Sequence, residues 1–376
     1  MTSKSLVDGN DSRIRVFLTG CDGQLGSQIL RDMRRDRRFT VRCANHGRLD
    51  IADYSSVCRA IDGEFPDGGP DVIVNCAAYT DVVGAEKNRD EAYSVNVNGV
   101  RNLSLAAFDR EGRGKIRLVH FSTDYLFGEM SAVGGDGRKT RFGVDAVKCP
   151  TTFYGQTKMW GECHVLREPD YGTVFRIGWL YGGVGRRYMN FMAKIAANAV
   201  MASKSGDGSI DVSKYGFGIP TSTSFVSRCL MNYLDEGRQT PVVHCVPNGR
   251  PVSRAECAEY VIRRLGIPVS VKPGEPTGGV VKYPRFTTLG QFMPFPFPKS
   301  TWKAMLYRWL ARHRDELVNP EKWDPVERMF AEGFSGGDGS LAGIMKLVSA
   351  LAERAAKSNP GTSAQTVDGK ENGQDV

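Results

Sequence analysis

Phe17-Leu18-Thr19-Gly20-Cys21-Asp22-Gly23-Gln24-Leu25-Gly26 is the stretch from which the fold is read. Arg15-Val16-Phe17-Leu18-Thr19 has the continuous apolar character of a buried strand, and Gly20, Gly23 and Gly26 follow it directly, ahead of a helical pattern. A dinucleotide loop needs that context. The glycines permit a tight turn and close backbone approach, and a pyrophosphate can then meet the unpaired N–H groups of the helix N-terminus.

Downstream, Val72-Ile73-Val74-Asn75, Leu118-Val119-His120-Phe121-Ser122 and Val174-Phe175-Arg176-Ile177 repeat the strand pattern. Between them lie helical stretches such as residues 90–110, where Ala92, Val95, Val100, Leu103 and Ala107 recur at helical spacing. Continuous apolar strands separated by helices indicate a parallel sheet covered on both faces. The expected fold class is α/β, a Rossmann-type doubly wound parallel sheet with a smaller mixed α/β C-terminal substrate lobe. Residues 13–185 form the dinucleotide domain, completed by strands and helices from 220–250, and 186–330 form the lobe interleaved with it. Gly- and charge-rich residues 128–147 read as an insertion and polar residues 203–218 as a second loop. Residues 1–12 and 358–376 read as disordered, and 331–357 as a linker with an amphipathic helix.

With 376 residues, 41% of them apolar, the chain can bury the core of such a two-part protein. No stretch approaches the ~18 apolar residues of a membrane span, and residues 1–10 are too polar for a signal peptide. The expected location is cytoplasmic. Nine cysteines without a CxxC pair read as reduced thiols, and five scattered histidines give no metal-ligand spacing. The net charge of +8 and the five arginines of residues 31–38 invite a nucleic-acid reading. That run also holds Asp32 and Asp36 and no aromatic residue, so it reads as a solvated helix face.

Chemistry is concentrated in Ser122-Thr123 and in Tyr154-Gly155-Gln156-Thr157-Lys158. A Tyr and a Lys four apart on a helix share a face. In hydride chemistry on a carbonyl, Tyr154 would protonate the oxygen, Thr123 would donate a hydrogen bond to it, and the Lys158 ammonium would favour the phenolate. The acid that grips the NAD ribose belongs at the end of the second strand. Asn45-His46-Gly47-Arg48 stands there instead, so His46 and Arg48 either face the 2′-phosphate of NADP, with NAD as the alternative, or are solvated loop residues.

These residues resemble the extended short-chain dehydrogenase/reductases, and within them the dTDP-4-dehydrorhamnose reductase family. The resemblance rests on Leu18 to Gly26, Leu49-Asp50-Ile51, Asp71 to Thr80, Val95-Asn96, Phe121-Ser122-Thr123-Asp124-Tyr125-Leu126-Phe127, the Tyr154 motif with Gly161-Glu162, and Phe175 to Gly182. It implies a reductase of a 4-keto-6-deoxy nucleotide sugar, with Thr123, Tyr154 and Lys158 as catalytic residues. Gly20, Gly23, Gln24, Leu25 and Gly26 would form the cofactor loop. Asp50, Ile51, Ala77, Ala78 and Thr80 would line the cofactor path, Asn96 would support Lys158 through a water, and Asp124, Tyr125 and Trp179 would face the sugar. A homodimer is compatible with it. The substrate half departs from the family pattern. Asp-Gln-x-Gly-x-Pro-Thr is replaced by Tyr215-Gly216-Phe217-Gly218-Ile219-Pro220-Thr221, and Arg-Pro-x-x-Ser-x-Leu by Tyr283-Pro284-Arg285-Phe286-Thr287-Thr288-Leu289. The alternative is a cofactor-binding regulatory subunit similar to the beta subunit of methionine adenosyltransferase, whose partner would be the catalytic subunit.

Ser358 to Val376 is too polar to bury the apolar surface that would offset its ordering entropy. A chain ending at Lys357 is therefore expected to melt at the same temperature as the full chain and to titrate with NADPH identically. A loss of many degrees on truncation would contradict the reading.

Overall fold

The computed structural model describes residues 13–323, apart from 67, 110–113, 129–140, 183–189, 238 and 276–280. Residues 1–12, most of the 128–147 insertion, and the linker, helix and tail expected at 331–376 lie outside the described residues. Residues up to Pro320 form one unit and Glu321–Val376 a second, of which only 321–323 are described.

The first half alternates strand and helix: β1 (Ile14–Thr19), α1 (Gln24–Met33), β2 (Phe39–Ala44), α2 (Tyr54–Glu64), β3 (Val72–Asn75), α3 (Val82–Lys87), α4 (Arg89–Tyr93), α5 (Val100–Phe108), β4 (Arg117–Thr123), α6 (Phe153–Leu166) and β5 (Gly172–Ile177). There follow β6 (Leu180–Tyr181), α7 (Phe191–Ser205), β7 (Ser209–Ser213), β8 (Thr221–Ser222), α8 (Thr223–Glu236), β9 (Val242–His244), α9 (Arg254–Leu265), β10 (Ser270–Gly274) and α10 (Trp302–Val318). Six strands form one parallel sheet in the order β2-β1-β3-β4-β5-β9. The fold is α/β and Rossmann-like.

Strand pleating explains why these runs are apolar throughout: successive side chains serve opposite faces, and both faces are covered. Val16 and Leu18 of β1, Val72 and Val74 of β3, and Phe121 of β4 meet Ile29 and Met33 of α1 and Val226 and Leu230 of α8. Phe17, Ile73, Leu118 and Val174 face the other way, onto Val57 of α2, Leu103 of α5 and Val165 of α6. A third core joins α7, α9 and α10 around Met192, Ala196, Val261, Trp302 and Leu306. Among the described residues no helix is long and apolar enough to cross a membrane. No group of three His, Cys, Asp or Glu side chains converges there as a metal site would.

Two expectations are corrected. Residues 203–218, read as a loop, carry the end of α7 and the strand β7, which pairs in parallel with β10. Only Ile210 and Val212 point inward, which suffices for a short strand laid against helices. Residues 90–110, read as one helix, are α4 and α5 separated by a π-turn over Ser94–Gly99. The interruption coincides with Asn96, whose amide is bonded away from its own helix.

Gly26 sits where α1 crosses the loop, and a Cβ there would overlap the Gly20 carbonyl, a backbone atom that cannot rotate away. Gly26→Ala is expected to destabilise the protein by about 1–3 kcal/mol in urea denaturation, as overpacking does. Gly63 of α2 has no neighbour within 4 Å of such a Cβ. Gly63→Ala is expected to stabilise by about 0.5–1 kcal/mol through helix propensity alone.

Candidate active site

Strand order reverses at β1, between β2 and β3, so the loops leaving the carboxyl ends of β1 and β3 diverge and open a crevice. The glycine loop lines it. Gly20 has φ +66° and accepts a 3.1 Å bond from the Gly23 N–H. A Cβ on Gly20 would lie 2.6 Å from the Ala77 nitrogen, so the loops after β1 and β3 are in contact only because that atom is missing. Helices α2, α3, α6, α7, α8, α9 and α10 all begin with a side-chain cap, from Asp53, Asp81, Thr152, Asn190, Ser222, Ser253 and Thr301. At α1 the cap position is Gly23, with no side-chain bond and no acid in the first turn. Its leading N–H groups and positive dipole end therefore suit a diphosphate. Gln24 donates from Nε2 to the Gly182 carbonyl at 2.9 Å, tying the loop to the segment after β6, and Leu25 is buried.

His46 and Arg48 are exposed just beyond β2. Arg48 is paired with Glu64 at 2.9 Å, so its guanidinium is already engaged. Asp50 is exposed and accepts from the Ala52 N–H at 2.9 Å, while Ile51 is buried. Ala77 and Ala78 are half-buried and Thr80 is exposed, in sequence after β3.

Helix α6 carries Tyr154, Lys158 and Glu162, one turn apart. The Thr152 hydroxyl caps it by accepting from the Gly155 N–H at 3.0 Å. Thr123 ends β4, accepts at Oγ1 from the Tyr125 N–H at 3.2 Å, and is hydrogen-bonded to Tyr154. Burial raises the Tyr154 phenol above its ordinary range, and the bond with Thr123 opposes that. Lys158, expected to lower the Tyr154 phenol directly, is turned onto β4. Its Nζ lies 2.7 Å from the Phe121 carbonyl and 3.0 Å from His120 Nε2. Burial lowers it to about 8, against the opposing influence of Glu162 and Cys76.

Asn96, expected to support Lys158, spends its amide elsewhere. Oδ1 accepts from the Tyr79 N–H at 2.9 Å, and Nδ2 donates to the Tyr79 carbonyl and to Thr157 Oγ1, each at 3.0 Å. It fixes the residue beside Lys158. His120, fully buried between Asn75 and Lys158, was missed by the sequence reading because it stands inside an apolar strand with no spacing signature.

Asp124, expected to face the sugar, is 3% exposed. Its Oδ2 accepts from the Thr287 hydroxyl at 2.7 Å and its Oδ1 from the Thr123 hydroxyl at 3.3 Å. Tyr125 packs edge-on against Tyr154, with ring centroids 5.8 Å apart. The two segments that depart from the family pattern meet here. Phe217 stacks on Phe286, and the Arg285 guanidinium lies 4.4 Å over the Tyr215 ring. Trp179, expected to face the sugar, is buried with φ +43°, its ring 4.2 Å from the Arg254 guanidinium. Arg254 also acts on Asp124 and Tyr125. No charge pattern around it in the sequence signals this.

Burial pushes the Asp124 carboxyl up from 3.8 to about 6, partly offset by Thr287 and Arg254. A carboxyl raised on folding binds its proton more tightly in the native state, so stability is lost as pH rises from about 4 through about 6. Asp124→Asn lacks this titration. Its stability relative to wild type is expected to improve by on the order of 3 kcal/mol between about pH 4 and about pH 8, read by chemical denaturation at both ends. A pH-independent difference would contradict the shift.

A model of the RmlD substrate binding domain matches residues 14–285. The dTDP-4-dehydrorhamnose reductase of Mycolicibacterium smegmatis is 33% identical over 261 residues, 69% of this chain and 72% of the relative. The dTDP-4-keto-6-deoxy-D-glucose reductase of Streptomyces niveus is 34% identical over 282 residues, 73% of this chain and 88% of the relative. Among solved structures, the dTDP-4-dehydrorhamnose reductase of Bacillus anthracis in complex with NADP superposes with a TM-score of 0.67 at 26% identity, covering 80% of this chain and 99% of that one. The match over most of the chain, with the glycine loop, Thr123 and the Tyr154/Lys158 helix on one sheet edge, places this protein in the RmlD family of dTDP-4-dehydrorhamnose reductase-like enzymes, NAD(P)-dependent oxidoreductases of the extended short-chain dehydrogenase/reductase class.

Proposed function

We propose that the protein is an NADPH-dependent reductase of a dTDP-linked 4-keto-6-deoxy sugar, with Tyr154 as the proton donor. One observation carries this reading: an uncapped helix behind a glycine loop, and the group Thr123, Tyr154 and Lys158, lie at the carboxyl edge of the same parallel sheet. The relatives in M. smegmatis and S. niveus, a dTDP-4-dehydrorhamnose reductase and a dTDP-4-keto-6-deoxy-D-glucose reductase, support the substrate class.

Gly20, Gly23 and Gly26, with the first N–H groups of α1, would hold the pyrophosphate. His46 would meet a 2′-phosphate, joined by Arg48 if it exchanges Glu64 for that anion. When bound, the reduced nicotinamide supplies the hydride for the carbonyl carbon. The chain's own residues handle the oxygen. The Thr123 and Tyr154 hydroxyls lie together, so a carbonyl oxygen placed between them would receive two donors once Thr123 turns its proton from Asp124 and Tyr154 its own from Thr123. Tyr154 then gives up its phenolic proton and the substrate becomes an alcohol. Because burial raises that phenol, it stays protonated at neutral pH, and the phenolate left once the proton is given up needs a cation nearby. Lys158, one turn along α6, is that cation once it carries its charge. Asp124, Tyr125 and the Phe217–Phe286 stack would bound the sugar side.

The test is oxidation of NADPH and NADH against a panel of 4-keto-6-deoxy nucleotide sugars. Turnover with at least one dTDP-sugar is expected, with NADPH at least as good as NADH. Tyr154→Phe should lower the rate by ~10²–10⁴ while NADPH still binds, since it removes a proton donor and little volume. Full turnover by this variant would remove Tyr154 from its role. Nucleotide binding without turnover across the panel would favour a regulatory, cofactor-binding subunit instead.

A further inference from the structure

A line of buried hydrogen bonds runs under the crevice from the glycine-loop strand to the helix of Tyr154. Thr19 Oγ1 lies 2.7 Å from Asn75 Oδ1, Asn75 Nδ2 lies 2.9 Å from His120 Nδ1, and His120 Nε2 lies 3.0 Å from Lys158 Nζ. Thr19, Asn75, His120 and Lys158 are all at most 2% exposed, so each polar atom must find its partner within the protein.

The line can be read in one direction only. Asn75 Oδ1 also accepts the Ala77 backbone N–H at 3.0 Å, and an N–H can only donate. That fixes the amide with oxygen towards Ala77 and Thr19 and its NH2 towards His120. His120 Nδ1 must then accept. Burial holds the ring neutral, far below the ordinary imidazole range, so its single proton sits on Nε2. Nε2–H faces Lys158 Nζ. An ammonium has no lone pair and would set hydrogen against hydrogen at 3.0 Å, whereas an uncharged amine accepts from Nε2–H and still donates to the Phe121 carbonyl.

We propose that His120 is a positioning residue which, locked by Asn75 in its Nε2–H tautomer, accepts only the uncharged amine of Lys158 as its partner and so favours that form over the ammonium. The titratable groups facing Lys158 are the His120 ring from β4, the Cys76 thiol from the segment after β3, and Glu162 on its own helix, itself paired with Arg176 of β5 and with Lys148. Cys76 is held protonated by burial, and the Glu162 charge is met by two cations, so neither overturns the hydrogen-bond argument. Gaining a proton and leaving His120 are then one event. Resting on the reductase reading, this makes the cation that favours the Tyr154 phenolate available only after Lys158 has turned away from β4, and couples Lys158 to the strand that leads into the glycine loop.

The test does not depend on turnover. In the full chain without added nucleotide, ¹⁵N NMR of the histidine rings should show His120 neutral and protonated at Nε2 from about pH 6 to about pH 9. Protonation at Nδ1 would overturn the proposal. Titration of ¹³Cε-labelled lysine gives a second reading. If Nε2–H donates to the amine, His120→Leu removes a bond that favours the uncharged form, and the Lys158 midpoint, expected at about 8, should rise by about one pH unit. A fall, or no change, would mean that the ring had been supporting the ammonium. Should His120→Leu fail to fold, the wild-type tautomer alone decides. A correct tautomer with no turnover on any sugar would sink the reductase reading and leave this one standing.

Discussion

Helix α6 is fastened to the sheet by two buried charged-type side chains one turn apart, and the candidate site depends on that fastening. Lys158 reaches the Phe121 carbonyl of β4, and Glu162 takes a bidentate grip on Arg176 of β5, with both bonds at 2.9 Å. Leaving any of these unpaired in the core would cost several kcal/mol, so the helix has one azimuth and one height against the strands. Tyr154, the first member of the same i, i+4 stripe, is thereby presented to Thr123 at the end of β4. Arg176 also donates to His244 Nε2 at 3.1 Å, and the opposite ring nitrogen of His244 donates to the Gly290 carbonyl at 3.0 Å. The chain segment that supplies Thr287 to Asp124 is thus anchored a few residues away by the same network.

The cofactor half was legible because its physics repeats along the chain. Strands buried on both faces must be apolar at every position, and a turn that meets both a helix start and a neighbouring loop must use glycine. Those demands fall on adjacent residues, as in Val16 to Gly26. The remaining features arise between residues far apart. Nothing around His120 distinguishes it from a core residue until Asn75 and Lys158 arrive from either side. The polar segment holding β7 becomes a strand only through its partner β10, since Ile210 and Val212 alone are too little signal. Lys158 was placed correctly on its helix, but what it touches was not recoverable from a four-residue spacing.

The substrate lobe shows how side chains can be exchanged while a scaffold persists. Phe217 N–H donates to the Arg285 carbonyl at 2.8 Å, and Thr287 N–H to the Phe217 carbonyl at 3.1 Å. These backbone bonds carry no information about side-chain identity. Tyr215, Gly216 and Tyr283 stand where the family pattern has Asp, Gln and Arg, and the segments stay paired, with Phe217 stacked on Phe286 and Arg285 over Tyr215. The side chains gathered here are largely aromatic, and the Arg254 guanidinium lies over the Trp179 ring and acts on Asp124.

The π-turn at Ser94–Gly99 works as a phase shifter. One surplus residue advances the following helix by about 100° relative to an uninterrupted one, so the face that α5 buries is set by the turn as well as by the spacing of its apolar residues. Excising a single residue there would restore a regular helix and swing Asn96 out of reach of Tyr79 and Thr157 while every apolar side chain survived. In sequence alignments of such proteins, a one-residue gap at this point is a change of rotation, and its effect would surface on α6 before it surfaced in the core.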